Sequence, residues 1–151
     1  MSYQIEKTVT INAPAAIVWT TITEPQLMKL WMGDASMQLE IQTSWVVNSP
    51  VIITGFHHLH FENKGMVLQF EPGKRLQYTH LSSLSRLPDQ PENYSILTFD
   101  LIAANDLTTL TLTITNFPTE TIYRHLAFYW QTTIVMIKKF IEENQSHILT
   151  E

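Results

Sequence analysis

From Glu120 to Asn144 the chain has neither Gly nor Pro, and Tyr123, Ala127, Trp130, Ile134, Ile137 and Ile141 recur every three or four residues. That spacing lines apolar side chains along one stripe of a helix. Thr119 can cap its start, and Glu120 sits at the positive end of the helix dipole. At ~1.5 Å per residue the helix is roughly 37 Å long. A stripe of that length needs a wide apolar surface to cover it. Six or seven strands spaced ~4.8 Å apart give a sheet of about that width.

The preceding residues supply such a sheet. Tyr3, Ile5, Val9 and Ile11 alternate with polar residues, the period-two pattern of a half-buried strand. Asn12-Ala13-Pro14 ends it, and Pro14 suits a helix start, which predicts a short helix to Ile22. Thr23-Glu24-Pro25 repeats the device and opens a second short helix through Trp31. From Met37 to Thr115 strands follow one another: Leu39 with Ile41, Val51 to Ile53, and Met66, Leu68 and Phe70 alternating with Val67 and Gln69. Leu76 to His80, the Leu97-Phe99-Leu101 side of another strand, and Leu110, Leu112 and Ile114 between threonines complete the set. Glu71-Pro72-Gly73-Lys74 is a turn, with Pro fixing φ and Gly accepting a positive one. Ser82 to Asn93 reads as a polar loop. No repeat or linker divides the chain, so one domain over 1–151 is expected.

Composition removes whole classes of function. Nine basic against fourteen acidic residues give a net charge of −5, so no basic footprint exists for nucleic acid or an anionic membrane. The absence of Cys excludes disulfide frameworks, thiolate metal sites, Fe–S clusters and Cys nucleophiles. Four scattered glycines cannot write a phosphate-binding loop. No apolar run approaches a membrane span of ~20 residues and the first residues carry no signal core, so no membrane insertion and a cytoplasmic location are expected.

Strand, two short helices, about six strands and a long final helix form an order that resembles the helix-grip fold of the START/Bet v 1-like (SRPBCC) superfamily. Within it the chain resembles the Aha1-type branch, the activators of Hsp90 ATPase and their homologues. The resemblance is carried by Ala13-Pro14 through Val18-Trp19, Thr23-Glu24-Pro25-Gln26-Leu27 through Trp31-Met32, Gly65-Met66-Val67 with Glu71-Pro72, and Leu76 to His80. Thr98 to Leu101, Thr109 to Phe117 and Trp130 to Ile141 extend it over nearly the whole chain. One departure is the segment before the third strand, where relatives often carry Gly and this chain has Thr43 to Pro50 with Trp45. The resemblance implies an α+β fold, with a curved antiparallel sheet of six or seven strands around the C-terminal helix and a cavity between them. It implies no particular reaction, since lipid carriers, hormone receptors, cyclases and chaperone regulators share the scaffold.

His57, His58 and His60 are the most conspicuous polar cluster. In a strand, His58 and His60 would point one way and His57 the other. Zinc would need a third ligand, and Glu62 is the one carboxylate nearby, so a surface hairpin without metal is expected. His80 shares strand parity with Leu76 and Tyr78, which makes Tyr78 and His80 the best acid–base pair. Asp100 is expected to face away, and Glu142, Glu143 and Arg124 to be solvated. Trp31, Phe70, Tyr78, His80, Phe99, Tyr123, Ala127 and Trp130 are the candidate lining of an apolar cavity for a hydrophobic small molecule, with no cofactor. The alternatives are a protein-interaction module with a chaperone as partner and, behind it, a cofactor-free cyclase or lyase.

Overall fold

The structure, a computed structural model, describes residues 3–148. Its seven strands are β1 (Gln4–Ile11), β2 (Glu40–Thr43), β3 (Pro50–His57), β4 (Leu59–Glu71), β5 (Arg75–Ser82), β6 (Ser95–Ala104) and β7 (Leu107–Thr115). They form one antiparallel sheet in the order β1-β7-β6-β5-β4-β3-β2. Helices α1 (Ala15–Thr23) and α2 (Pro25–Met32) follow β1, and α3 (Glu120–Asn144) closes the fold. No described helix is long and apolar enough to cross a membrane.

The local signals act as their chemistry requires. The Pro14 carbonyl starts α1 by accepting from the Ile17 and Val18 amides. Pro25 occupies the first turn of α2, where its missing N–H leaves no bond unmade. Thr119 Oγ1 accepts the Ile122 amide and caps α3. Gly73 adopts φ 76° in the turn between β4 and β5, closed by the Lys74 amide on the Glu71 carbonyl at 2.9 Å. Asp100 faces away from the helices, as expected, and there forms a two-pronged ion pair with Arg75 on β5.

Two expectations fail for identifiable reasons. Met66 does not share a face with Phe70: Met66 is 45% exposed, whereas Val67 is fully buried. A bulge between Val67 and Gln69 inserts one residue, which reverses parity and lets Val67 and Phe70 both face inward. His58 is not a strand residue. It takes φ 67° at the tip of the β3–β4 hairpin, so the alternation argument does not apply to His57, His58 and His60. Among the described residues no three His, Asp or Glu side chains group as metal ligands.

The core lies between the sheet and the helices. Leu76, Leu97, Phe99, Leu110, Leu112 and Ile114 from the strands meet Trp130, Ile134, Ile137 and Ile141 from α3, and Val18, Ile22, Met28 and Trp31 from the short helices. The long helix packs chiefly on β1, α1 and α2. Polar ties fix its C-terminal end: Lys138 Nζ donates to the Thr10 carbonyl and Glu142, Glu142 accepts the Asn12 amide, and Gln145 Nε2 donates to the Asn12 carbonyl. Glu142 is thus engaged, contrary to the expectation that it is merely solvated.

Candidate functional site

An unbroken series of aromatic rings runs through the interior. Trp19 meets Phe70 (5.2 Å between centroids), Phe70 meets Trp45 (6.0 Å), Trp45 meets Tyr78 (5.8 Å) and Tyr78 meets Phe99 (6.1 Å). Phe99 then meets Trp130 (5.7 Å), which meets Trp31 (6.2 Å). These separations favour offset and edge-on aromatic packing. Five of the eight residues singled out from sequence therefore belong to one assembly: Trp31, Phe70, Tyr78, Phe99 and Trp130. Trp31, Phe99 and Trp130 are at most 4% exposed and pack together as solid core. Tyr123 stands apart, stacked on Tyr3 and edge-on to Phe117, and Ala127 is half-buried one turn later on α3.

Three polar groups of this aromatic interior are satisfied by helix ends. The last carbonyls of a helix lack intrahelical partners. Trp31 Nε1 donates to the Thr21 carbonyl at 2.9 Å and Trp45 Nε1 to the Thr23 carbonyl at 2.6 Å, both at the end of α1. The Tyr129 hydroxyl donates to the Met32 carbonyl, the last of α2, at 2.8 Å. Trp45, Trp19 and Tyr129 are thus structural members of the site that were not among the candidates. Trp45 reaches it from a loop at φ 58°, for which no periodicity gives a signal.

Tyr78 and His80 differ. Both lie on the face of β5 that carries Leu76, opposite Leu97 and Ser95 of β6. Neither side chain hydrogen-bonds to any described residue, and neither supplies a polar atom sealed from all access. Burial pushes the Tyr78 phenol well above its ordinary range, with Tyr129 adding to the shift. Burial also lowers the His80 imidazole to about 4, with His125 contributing. On α3, exposed His125 and half-buried Tyr129 are four helix residues apart, a rise of about 6 Å. Two strand residues rise about 6.7 Å. The helix pair and the strand pair therefore match, His125 toward His80 and Tyr129 toward Tyr78. His80 keeps some accessible surface even though its surroundings strongly disfavour charge.

Two grooves flank this region at the ends of β4. One, of about 480 Å³, is lined by Gln38, Gly55, Phe56, His60, Phe61 and Ser83. The other, of about 440 Å³, lies against Phe70 with Glu71, Pro72 and Lys74. Phe61 and Phe70 also pack against the core, so each groove shares an aromatic wall with the interior. Gly55 is needed at the first, because a Cβ there would come within 2.8 Å of the Phe61 ring.

Comparison with known proteins agrees with this architecture. A solution structure of ChR145 from Cytophaga hutchinsonii is similar at 32% identity and TM-score 0.77, over 95% of this chain and 97% of that one. CV1439 from Chromobacterium violaceum shares the fold at 16% identity and TM-score 0.77, over 92% and 97%. The Aha1 dimer from Colwellia psychrerythraea does so at 18% identity and TM-score 0.69, over 90% and 93%. No curated protein matches the chain. Residues 12–142 match the family described as Activator of Hsp90 ATPase homolog 1-like protein, and with that match and the Cytophaga relative the chain belongs to this family.

Proposed function

We propose that the protein binds an apolar small molecule between the β4–β5 part of the sheet and the N-terminal half of α3. The observation that carries this reading is the contrast among interior polar groups. The Trp31 and Trp45 N–H groups and the Tyr129 hydroxyl have carbonyl partners, whereas Tyr78 and His80, like the Trp19 and Trp130 N–H groups, make no side-chain hydrogen bond to a described residue. A largely apolar lining with a few convergent polar groups is the usual make-up of a ligand site. The grooves beside Phe61 and Phe70 are the open spaces next to this region. The neutral apolar fluorophore N-phenyl-1-naphthylamine tests the reading: saturable one-to-one binding with quenched Trp emission supports it, and the absence of saturable binding rejects it.

The pKa shifts weigh against acid–base catalysis. A general acid or base works best with a pKa near the working pH. Burial moves Tyr78 up and His80 down, so both are neutral near pH 7 and neither exchanges protons readily there.

A second reading, a protein-interaction module with a chaperone as partner, draws on the family and on one surface. Phe128 is 79% exposed on α3, with Val135 and Met136 also outward. Chaperone ATPase assays distinguish the two readings. Little stimulation is expected, given the net charge of −5, and a saturable several-fold stimulation abolished by Phe128→Ala would favour the second.

A further inference from the structure

We infer that the outward face of α3 pairs with the same face of a second copy of this chain, antiparallel and about a two-fold axis, with Arg124 of each copy against Glu143 of the other. The inference does not depend on the ligand-binding reading. The first ground is an apolar stripe that the domain leaves uncovered. Phe128 is 79% exposed, Val135 52% and Met136 44%. At 3.6 residues per turn, Phe128, Val135 and Lys139 lie within about 20° of one line along the helix. That line runs opposite Trp130 and Ile137, which are buried. Between Arg124 and Lys138 the helix carries no Asp, Glu, Lys or Arg, a stretch of about three and a half turns. A helix with only one covered face normally carries charge on the other, and one that is apolar on both sides is normally covered on both.

The second ground is charge. Glu120 and Arg124 precede the stripe, and Lys139 and Glu143 follow it. A parallel pair of helices would set each charge against its own copy. An antiparallel pair with Phe128 directly against Val135 would set Arg124 against Lys139 and Glu120 against Glu143. Sliding that pair by four residues removes both conflicts: Arg124 then meets Glu143, Phe128 meets Lys139, and Thr132 meets Val135. A two-fold axis makes each of these contacts twice. It also brings together positions on opposite sides of the stripe. Arg124 lies about 40° to one side of Phe128 and Glu143 about 60° to the other, so the two fit that geometry. Lys139 and Glu143 join no ion pair among the described residues, while Arg124 holds Glu120 in an exposed pair that leaves its other donors free. The Lys139 ammonium would rest against the Phe128 ring, a favourable cation–π contact.

The size of the face sets the strength of the pairing. From Arg124 to Glu143 the helix rises about 28 Å, and it is about 10 Å wide. That footprint is small beside the ~800 Å² that each partner gives to a stable interface. An apolar centre with charges at both ends follows the usual plan of an interface, but over this area it supports a weak, reversible dimer. The copies therefore separate at low micromolar concentration and associate as the concentration rises.

Sedimentation equilibrium of the full chain from micromolar to near-millimolar concentration tests the inference. We expect the average mass to rise from 17.5 kDa toward twice that value. Phe128→Ala should weaken association about tenfold or more, the effect of truncating a central aromatic anchor. Arg124→Glu and Glu143→Arg should each weaken it, because each sets like charges face to face at both ends. The double variant Arg124→Glu/Glu143→Arg should restore it, which no effect on the separate domain would do. All three positions are exposed, so melting temperatures recorded at low concentration should stay close to the parent's. A monomer at every concentration would overturn the inference, as would a dimer indifferent to Phe128→Ala. A double variant that associates no better than the single ones would overturn the antiparallel register. A monomer that stimulates a chaperone ATPase through Phe128 would give this face to that partner instead.

Discussion

The two halves of α3 face different surroundings. Beyond Trp130, Ile134, Ile137 and Ile141 are at most 3% exposed, and the Ile11, Leu110, Leu112 and Ile114 side chains of the same core have no accessible surface. Lys138, Glu142 and Gln145 then tie that end to residues 10–12. Before Trp130, the one buried helix residue is Leu126, and Tyr123 and Ala127 remain half-buried. This half carries Tyr129 and His125, which lie toward Tyr78 and His80. One helix thus closes the core with its second half and borders a candidate site with its first. On the proposed reading the same division separates stability from ligand binding, because close packing is expensive to disturb.

The largest effects should come from the packed side of this division. Trp130→Ala should cost about 3–5 kcal/mol and Ile137→Ala about 2–5 kcal/mol. At ~2–4 °C per kcal/mol in a domain of this size, either change lowers the melting temperature by many degrees. Thermal unfolding followed by circular dichroism measures this, and a loss below about 1 kcal/mol at both positions would show that the second half is not tightly packed. Next comes Gly65→Ala, which drives a methyl into the β5 backbone and should cost about 2 kcal/mol or more. A neutral outcome there would mean that the strands separate easily beside the proposed site.

A pH titration of stability sharpens the comparison from the other side. The His80 pKa is about 4 in the folded protein against an ordinary 6.5. As pH falls below 6.5 the unfolded chain takes up this proton first, so stability is complete above 6.5 and declines toward pH 4. His80→Gln should flatten that part of the curve in urea unfolding measured at several pH values. An unchanged slope would place His80 in contact with water. The smallest effect belongs to the surface ties. The Lys138 and Asn12 bonds hold Glu142 below the usual carboxylate range, so its contribution is present above that range and is lost as pH falls through it. With Lys138 39% exposed, Glu142→Gln should cost about 0.5 kcal/mol or less at neutral pH and nothing in acid. A loss that persisted in acid would point to packing instead of charge.

Much of the architecture was legible because it rests on local period. The limits of α3, the threonine-rich face of β7 and the turn at Gly73 follow from spacing and backbone preference alone. Met66 was misplaced because a bulge leaves no mark in a run of alternating residues. His58 was misplaced because a tight hairpin tip placed it between strands. The aromatic interior was legible in its members on regular elements, Tyr78, Phe99 and Trp130. It was not legible at Trp45, which arrives from a loop, and the inward orientation of Asn63 follows only from its pairing with buried Ile53. Pairing across strands is a tertiary fact, and a polar residue in a strand reads as outward until its partner is known.

The central claim is that space bordered by the first half of α3 admits a ligand. Titration of N-phenyl-1-naphthylamine into the parent, Ala127→Phe and Phe128→Ala, with melting temperatures recorded alongside, tests it most directly. Ala127 is half-buried and Phe128, the next residue on the helix, is 79% exposed. The account predicts saturable binding by the parent and by Phe128→Ala, and its loss in Ala127→Phe without a large fall in melting temperature. Binding by Ala127→Phe equal to the parent's, or a steep loss of stability on filling that position, would contradict it.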